Sequence, residues 1–304
     1  MDDYTRLRSE LEQMPGHRIL LENYGLNNSI HIFDGNYAEL KQILDFMETD
    51  DRSQEILTPE GRDKLQAVNQ DIIRLLHNFV AATMSLIEHT RRLYQLFFKP
   101  NNKFPDYQVK IDEMFRNHPL SQFVQKLRVY CQHYKSPNII YTTSFNSGTI
   151  SRRVCLRKSD LLSFDEWQPV AKKFLASSDS DIWISEIVEA YRNRVIEFYQ
   201  WYQSCQFMIH EPEISAFKSK QTELLLMQLD IHLSTFAANI DFHPRNPDIM
   251  FSYILSEQDY KNLVSIPENA TDRADTIIQL VDKYLALPEQ IKEKIRIVYL
   301  HKNP

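Results

Sequence analysis

In the stretch LRVYCQHY (Leu127–Tyr134) an arginine and a histidine, Arg128 and His133, stand five residues apart. An imidazole titrates nearer neutrality than any other side chain and can take the proton of an RNA 2′-hydroxyl. A guanidinium fork stabilises the charge that grows on the phosphate as the reaction proceeds. Such a couple needs no metal. On an α-helix five residues span about 500° of rotation, so the two side chains leave the axis roughly 140° apart. They act on one phosphate only where the helix ends between them, or where a second copy of the same helix completes the site across a two-fold axis.

The neighbourhood of the couple is basic. From Met114 to Ser159 there is no aspartate or glutamate, although the chain as a whole carries a formal net charge of −6. The same window holds Arg116, Lys126, Arg128, Lys135, Arg152, Arg153, Arg157 and Lys158, with His118 and His133. This concentration predicts a polyanion-facing surface on an otherwise acidic protein, with Lys126, Lys135, Arg152, Arg153, Arg157 and Lys158 as the phosphate-binding residues. A merely solvated basic face is the alternative. The overall negative charge argues against nonspecific coating of nucleic acid. Tyr130, Tyr134, Tyr141 and Phe145 either stack on bases or pack internally, and Tyr134, inside the motif, is grouped with the RNA-contacting residues.

Other chemistry-bearing residues read as structural. Asp230-x-His232 and Asp241-x-His243 repeat a carboxylate–imidazole unit, but one pair falls in a helix and the other in a proline-bounded loop, a poor arrangement for a shared metal. His77 and His89 suit hydrogen-bonded bundle positions, and Phe198, Tyr199, Trp201 and Tyr202 suit a core or interface. Cys131, Cys155 and Cys205 are too few and too scattered for a disulfide framework and form no C-x-x-C pair. No glycine-rich phosphate loop, nucleophile elbow or zinc motif is present, so neither cofactor nor metal is expected.

The elements that must hold the couple are mainly helices. Apolar residues make up 43% of the 304, enough for a core without staples, and only five glycines occur, none after Gly148. From Arg62 to Phe98 apolar residues recur at three- and four-residue steps without a proline, which predicts a long amphipathic helix. After the break at 100–105, helices are expected at about 106–117 and 120–134, the second opened by Pro119. The Asn-Ser-Gly turn inside NIIYTTSFNSGTISRRVCL predicts a β-hairpin at about 138–157. Further helices are expected at 165–176, 181–209 and 214–239. The loop DFHPRNPD then precedes two or three short helices, with Ser256-x-x-Asp259 as a start signal and Pro288 opening the last. Residues 1–61 are read as an N-terminal extension with helices at 2–14 and 37–48 around the glycine- and asparagine-rich YGLNNSIHIFDGNY. No apolar run reaches membrane-spanning length, and the first residues lack the pattern of a signal peptide, so a cytoplasmic location is expected.

On three stretches, HNFVAATMSLIEHTRRLY, PLSQFVQKLRVYCQHY and VEAYRNRVIEFYQWYQ, the chain resembles the HEPN superfamily of helical ribonucleases and their noncatalytic relatives. The resemblance covers about residues 62–210. It implies a mostly α, HEPN-like bundle carrying the hairpin, flanked by the extension at 1–61 and a helical region at 211–304. It further implies a homodimer in which two Arg-x4–6-His motifs face one cleft, metal-independent cleavage of RNA, Arg128 as the phosphate-binding residue and His133 as the acid/base, in a stress or phage-defence setting. Val129 departs from the polar residue usual after the arginine. The alternative is therefore a noncatalytic module that binds a nucleotide, RNA or a protein partner through its basic patch.

Overall fold

The computed structural model describes residues 3–146, 149–178, 180–238, 247–267 and 272–300, with the backbone alone described at 146, 149, 150 and 300. The chain is mostly helical with one small antiparallel sheet. It divides into two compact units, 21–210 and a second made of 1–20 with 211–304. No helix among the described residues is long and apolar enough to cross a membrane.

In chain order the helices are α1 (Asp3–Gln13), α2 (Pro15–Thr49), α3 (Ser53–Ile56), α4 (Arg62–Leu93), α5 (Asp106–Ile111), α6 (Pro119–Val129), α7 (Lys158–Leu162), α8 (Pro169–Ser177), α9 (Ile184–Ile209), α10 (Glu211–Ala238), α11 (Glu257–Ser265), α12 (Arg273–Asp282) and α13 (Glu289–Leu300). Three of them continue into a π-wound turn: α4 into Tyr94–Phe98, α5 into Asp112–Arg116 and α6 into Tyr130–Tyr134. Strands β1 (Ile139–Asn146) and β2 (Thr149–Leu156) form the expected hairpin, in register from Ile139↔Leu156 to Asn146↔Thr149. A third strand stands where the periodicity predicts the start of a helix: β3 (Ile182–Trp183) pairs with β2, and α9 begins only at Ile184. The Asn-Ser-Gly turn lies partly outside the described residues.

The larger unit is built on α2, α4, α6 and α9. Phe33 of α2, Phe79 of α4 and Tyr191 of α9 meet at its centre with ring centroids 5.3–6.4 Å apart, each fully or almost fully buried. The expectation that 1–61 forms an extension is overturned by this core. Leu26, Phe33, Leu40 and Met47 recur every seven residues, all buried in it, and they make the glycine–asparagine stretch one continuous helix. A seven-residue repeat keeps one apolar seam facing a partner helix even when the rest of the surface is polar. Outside contacts hold the same helix: Glu22 takes both terminal nitrogens of Arg92 at 2.6 and 2.8 Å, and Asp34 accepts from Arg192 at 2.8 Å.

The smaller unit has its own core of Leu229, Leu233, Phe251, Leu263, Ile277, Val281 and Ile295. A buried ion pair, Arg273 with Asp248 at 2.5 Å, is completed by the Tyr299 hydroxyl, which donates to the other Asp248 oxygen at 2.7 Å. Ser256 caps α11 by accepting from the Asp259 N–H at 3.1 Å, as its spacing predicts. Residues 1–20 belong to this unit, so the sequence boundary at 61 is replaced by one near 20.

Two kinds of glycine follow from this packing. A Cβ on Gly16 would lie 2.3 Å from the Glu213 carbonyl oxygen and 2.6 Å from Phe217 Cβ, whereas one on Gly25 or Gly35 would meet nothing within 4 Å. In urea unfolding followed by circular dichroism, Gly25→Ala and Gly35→Ala are each expected to stabilise the protein by about 1 kcal/mol through helix propensity. Gly16→Ala is expected to destabilise by about 1–3 kcal/mol through overpacking.

Candidate functional site

The motif sits where α6 changes its winding. α6 opens with His118 as its cap, whose Nδ1 accepts from the Ser121 N–H at 3.4 Å, and with Pro119 in the first turn. Phe123, Val124 and Leu127 turn into the core, and Ser121 anchors the start by donating to the Met114 carbonyl at 2.9 Å. The regular helix stops at Val129. Beyond it the Lys135 N–H donates to the Tyr130 carbonyl at 3.1 Å, an i→i+5 bond. The chain therefore winds more slowly between Arg128 and His133 than an α-helix does, and the offset read from 100° per residue does not apply. The chain stays helical through Tyr134, so both residues lie on one continuous helix that ends only at Lys135.

Arg128 is half-buried and His133 exposed. Among the described residues neither makes a side-chain hydrogen bond or an ion pair. The residues between and beside them face inward: Val129 packs against the core, Tyr130 is fully buried, and burial pushes the Cys131 thiol up to about 12, which removes it as a nucleophile at neutral pH. Tyr130 packs on Tyr134, Phe164 and Trp167, at centroid distances of 5.4, 5.6 and 6.2 Å. This aromatic cluster fixes the π turn from the inside.

The remaining expected phosphate-binding residues separate into two sets. Lys126 pairs with Glu166 at 3.3 Å and Lys135 with Asp160 at 3.8 Å, and the Lys158 ammonium donates to the Ser178 carbonyl. Arg152 is a strut: its side chain is only 10% exposed, one terminal nitrogen donates to the Asp50 carbonyl at 2.9 Å, and Asp51 lies 3.8 Å away. Arg153 stacks on the Trp183 ring at 4.6 Å, and Arg157 is exposed. Tyr134 is 48% exposed and its hydroxyl is 3.4 Å from Ser163. The window without acids is thus matched in space by acids from outside it. Of the cationic and histidine residues read as the site, Arg128, His133, Arg153 and Arg157 are left without an ion pair or side-chain hydrogen bond among the described residues.

Sequence reasoning missed Glu48 beside this region and counted His118 only among the basic residues of the window. Glu48 accepts from the Val154 N–H at 3.0 Å, the Trp183 indole N–H at 2.7 Å and the Ser185 hydroxyl at 2.8 Å. His118 Nε2 lies 3.0 Å from Arg194, and burial, with Arg194 beside it, lowers the His118 pKa. Both signals depend on contacts between residues far apart in sequence. His89 is the hydrogen-bonded bundle position expected, 2.5 Å from the Ser29 hydroxyl. Asp230 is taken by Lys294 at 2.6 Å, Asp241 and His243 lie outside the described residues, and no cluster of metal-ligating side chains occurs among the described ones.

Two arginines of the window, Arg128 and Arg152, separate in a stability measurement. Arg152→Ala, which strips a buried donor from the end of α2, is expected to lower unfolding free energy by about 1–3 kcal/mol. Arg128→Ala is expected to change it by less than about 0.5 kcal/mol. Urea titration of both variants checks the pair.

Comparison with known proteins leaves this geometry as the ground for a functional reading: no protein-family model, curated protein or solved structure matches the chain.

Proposed function

We propose that the chain is a HEPN-type protein that cleaves RNA without a metal as a homodimer, with Arg128 and His133 of both copies forming one composite site. The single observation that carries this reading is that Arg128 and His133 stand uncommitted at the junction of α6 with its π turn, while the lysines around them are engaged with acids or carbonyls. The helices α4, α6 and α9, packed on an aromatic core, are consistent with the bundle that the three resembling stretches imply.

The chemistry follows from the residue types. His133 takes the proton of the 2′-hydroxyl, and the freed oxygen attacks the adjacent phosphorus. The bond from phosphorus to the 5′-oxygen then breaks, and the imidazole of the second copy returns a proton to that leaving oxygen. Arg128 binds the non-bridging oxygens and stabilises the charge that grows on them. The products are a 2′,3′-cyclic phosphate and a 5′-hydroxyl. Arg153 and Arg157, exposed on and after β2, extend the anion-facing surface for flanking phosphates.

One observation favours the noncatalytic alternative. Val129, beside the arginine, packs inward and supplies no polar group to the site. In that reading the same residues hold an RNA, a nucleotide or an acidic protein partner without cleaving.

Purified wild type, Arg128→Ala and His133→Ala are to be incubated with labelled RNA in EDTA. Cleavage to cyclic-phosphate ends by wild type, reduced on the order of 10²–10⁴-fold in both variants, is the expected result. Equal background in all three removes the nuclease reading, and RNA binding lost with Arg128→Ala but never followed by cleavage establishes the noncatalytic one.

A further inference from the structure

We propose that the larger unit has a second binding site, a cavity of about 660 Å³ between α4, α5, α6 and α9 that takes a planar heteroaromatic ligand bearing an anionic group, of mononucleotide size. It is independent of the composite RNA site, because neither Arg128 nor His133 lines it.

The volume falls in the middle of the range of small-molecule sites, roughly 300–1,000 Å³. Three features of the wall select the chemistry. First, the apolar part is aromatic: the half-buried Tyr94 and Phe115 line it, backed by the buried rings of Tyr107, stacked on Tyr94 at 4.1 Å, and Phe198, edge-on to Phe115 at 5.2 Å. Preformed aromatic walls favour a flat ring, which they contact at little entropic cost.

Second, four glutamines face the same space: Gln95, Gln108, Gln122 and Gln125. Each amide has two donor hydrogens and two acceptor lone pairs. Gln122 donates to the Phe115 carbonyl at 3.1 Å and to Gln125 at 3.4 Å, Gln125 also hydrogen-bonds Tyr191, and Gln108 donates to Asp112 at 2.8 Å, while Gln95 makes no side-chain hydrogen bond among the described residues and Gln108 and Gln125 keep part of their capacity open. An aliphatic ligand would desolvate these amides without replacing their bonds, whereas the edge of a heterocycle offers both donors and acceptors.

Third, the charged residues lining the cavity are Arg91, Lys99 and Arg116, with no carboxylate among them. Arg91 and Arg116 hold only exposed ion pairs, with Glu88 at 2.7 Å and Asp112 at 3.0 Å, and such pairs exchange readily for a ligand anion. Lys99, exposed at the end of the π turn after α4, has no salt-bridge partner among the described residues. Aromatic walls, amide edges and a cationic rim together match a base, its heteroatoms and a phosphate.

The full-length chain is to be titrated calorimetrically with AMP and GMP, and with adenosine and ribose 5-phosphate as probes lacking the anion or the ring. A nucleotide dissociation constant on the order of 100 µM or tighter is expected, with both truncated probes weaker by at least about tenfold. Lys99→Gln, a surface change that leaves the fold alone, should weaken AMP about tenfold and leave adenosine unchanged. Ile87→Trp, which fills the cavity from α4, should abolish binding with the helical circular dichroism retained. The proposal is overturned if neither nucleotide binds at millimolar concentration, if adenosine binds as well as AMP, or if Lys99→Gln binds AMP like the wild type. Should Ile87→Trp not fold, the Lys99→Gln arm decides alone.

Discussion

One carboxylate ties the larger unit together. Glu48 stands near the end of α2 and receives three neutral donors: the Val154 amide of β2, the Trp183 indole of β3 and the Ser185 hydroxyl in the first turn of α9. Hydrogen bonds to a charged acceptor are roughly twice as strong as neutral ones, and deleting the acceptor would strand three donors, each at about 1–3 kcal/mol where desolvated. This cluster joins elements more than a hundred residues apart in the chain. It sets where the short third strand stops and α9 starts, because the backbone of 182–185 must present its indole and hydroxyl to the same carboxylate. Arg152 adds to the joint by reaching from β2 to the Asp50 carbonyl, which also accepts from the Ser53 N–H and hydroxyl just past the end of α2.

The joint changes the meaning of the basic window. A cation that supports the fold is not available to a ligand, and Arg152 and Lys158 are of this kind. Lys126 and Lys135 face acids that follow the hairpin in sequence and are brought back over α6 by α7 and the turn after it. Surface pairs of this sort are weak, so they reduce the local field more than they stabilise the protein. Arg128, His133, Arg153 and Arg157 are left with no ion pair or side-chain hydrogen bond among the described residues.

The elements legible in the sequence were those with a short-range signal. The long helix from Arg62, the hairpin, the Ser256 cap and the burial of Phe198, Tyr199 and Tyr202 all follow from local periodicity or a turn residue. The first two thirds of α2 were not legible, because the apolar seam is one residue per seven while Gly25, Asn27, Asn28, Gly35 and Asn36 dominate any short window. Tertiary burial of Leu26, Phe33 and Leu40 overrides that weak propensity. The two-residue strand at Ile182–Trp183 was hidden for a related reason: it exists only by pairing with β2. For the site, residue identity could be read, but not which cations the fold would engage, since every partner lies far away in sequence.

The winding of three helix ends was equally unreadable, and it bears on both candidate sites. π turns are a poor choice for an isolated helix, since they loosen the backbone bonds, and they persist where side chains hold them. Here each is held by rings: Phe98 is fully buried in the turn after α4, Phe115 packs on Phe198 and Tyr191 after α5, and Tyr130 on Trp167 and Phe164 after α6. Widening the turn displaces the next residues from the positions an α-helix would give them. After α4 and α5 it sets Tyr94, Gln95, Phe115 and Arg116 along the cavity, and after α6 it sets His133 in solvent beyond Arg128. The aromatic residues of these turns are therefore more than core filler: they fix an unfavourable backbone geometry at the places where polar side chains must leave the helical pattern.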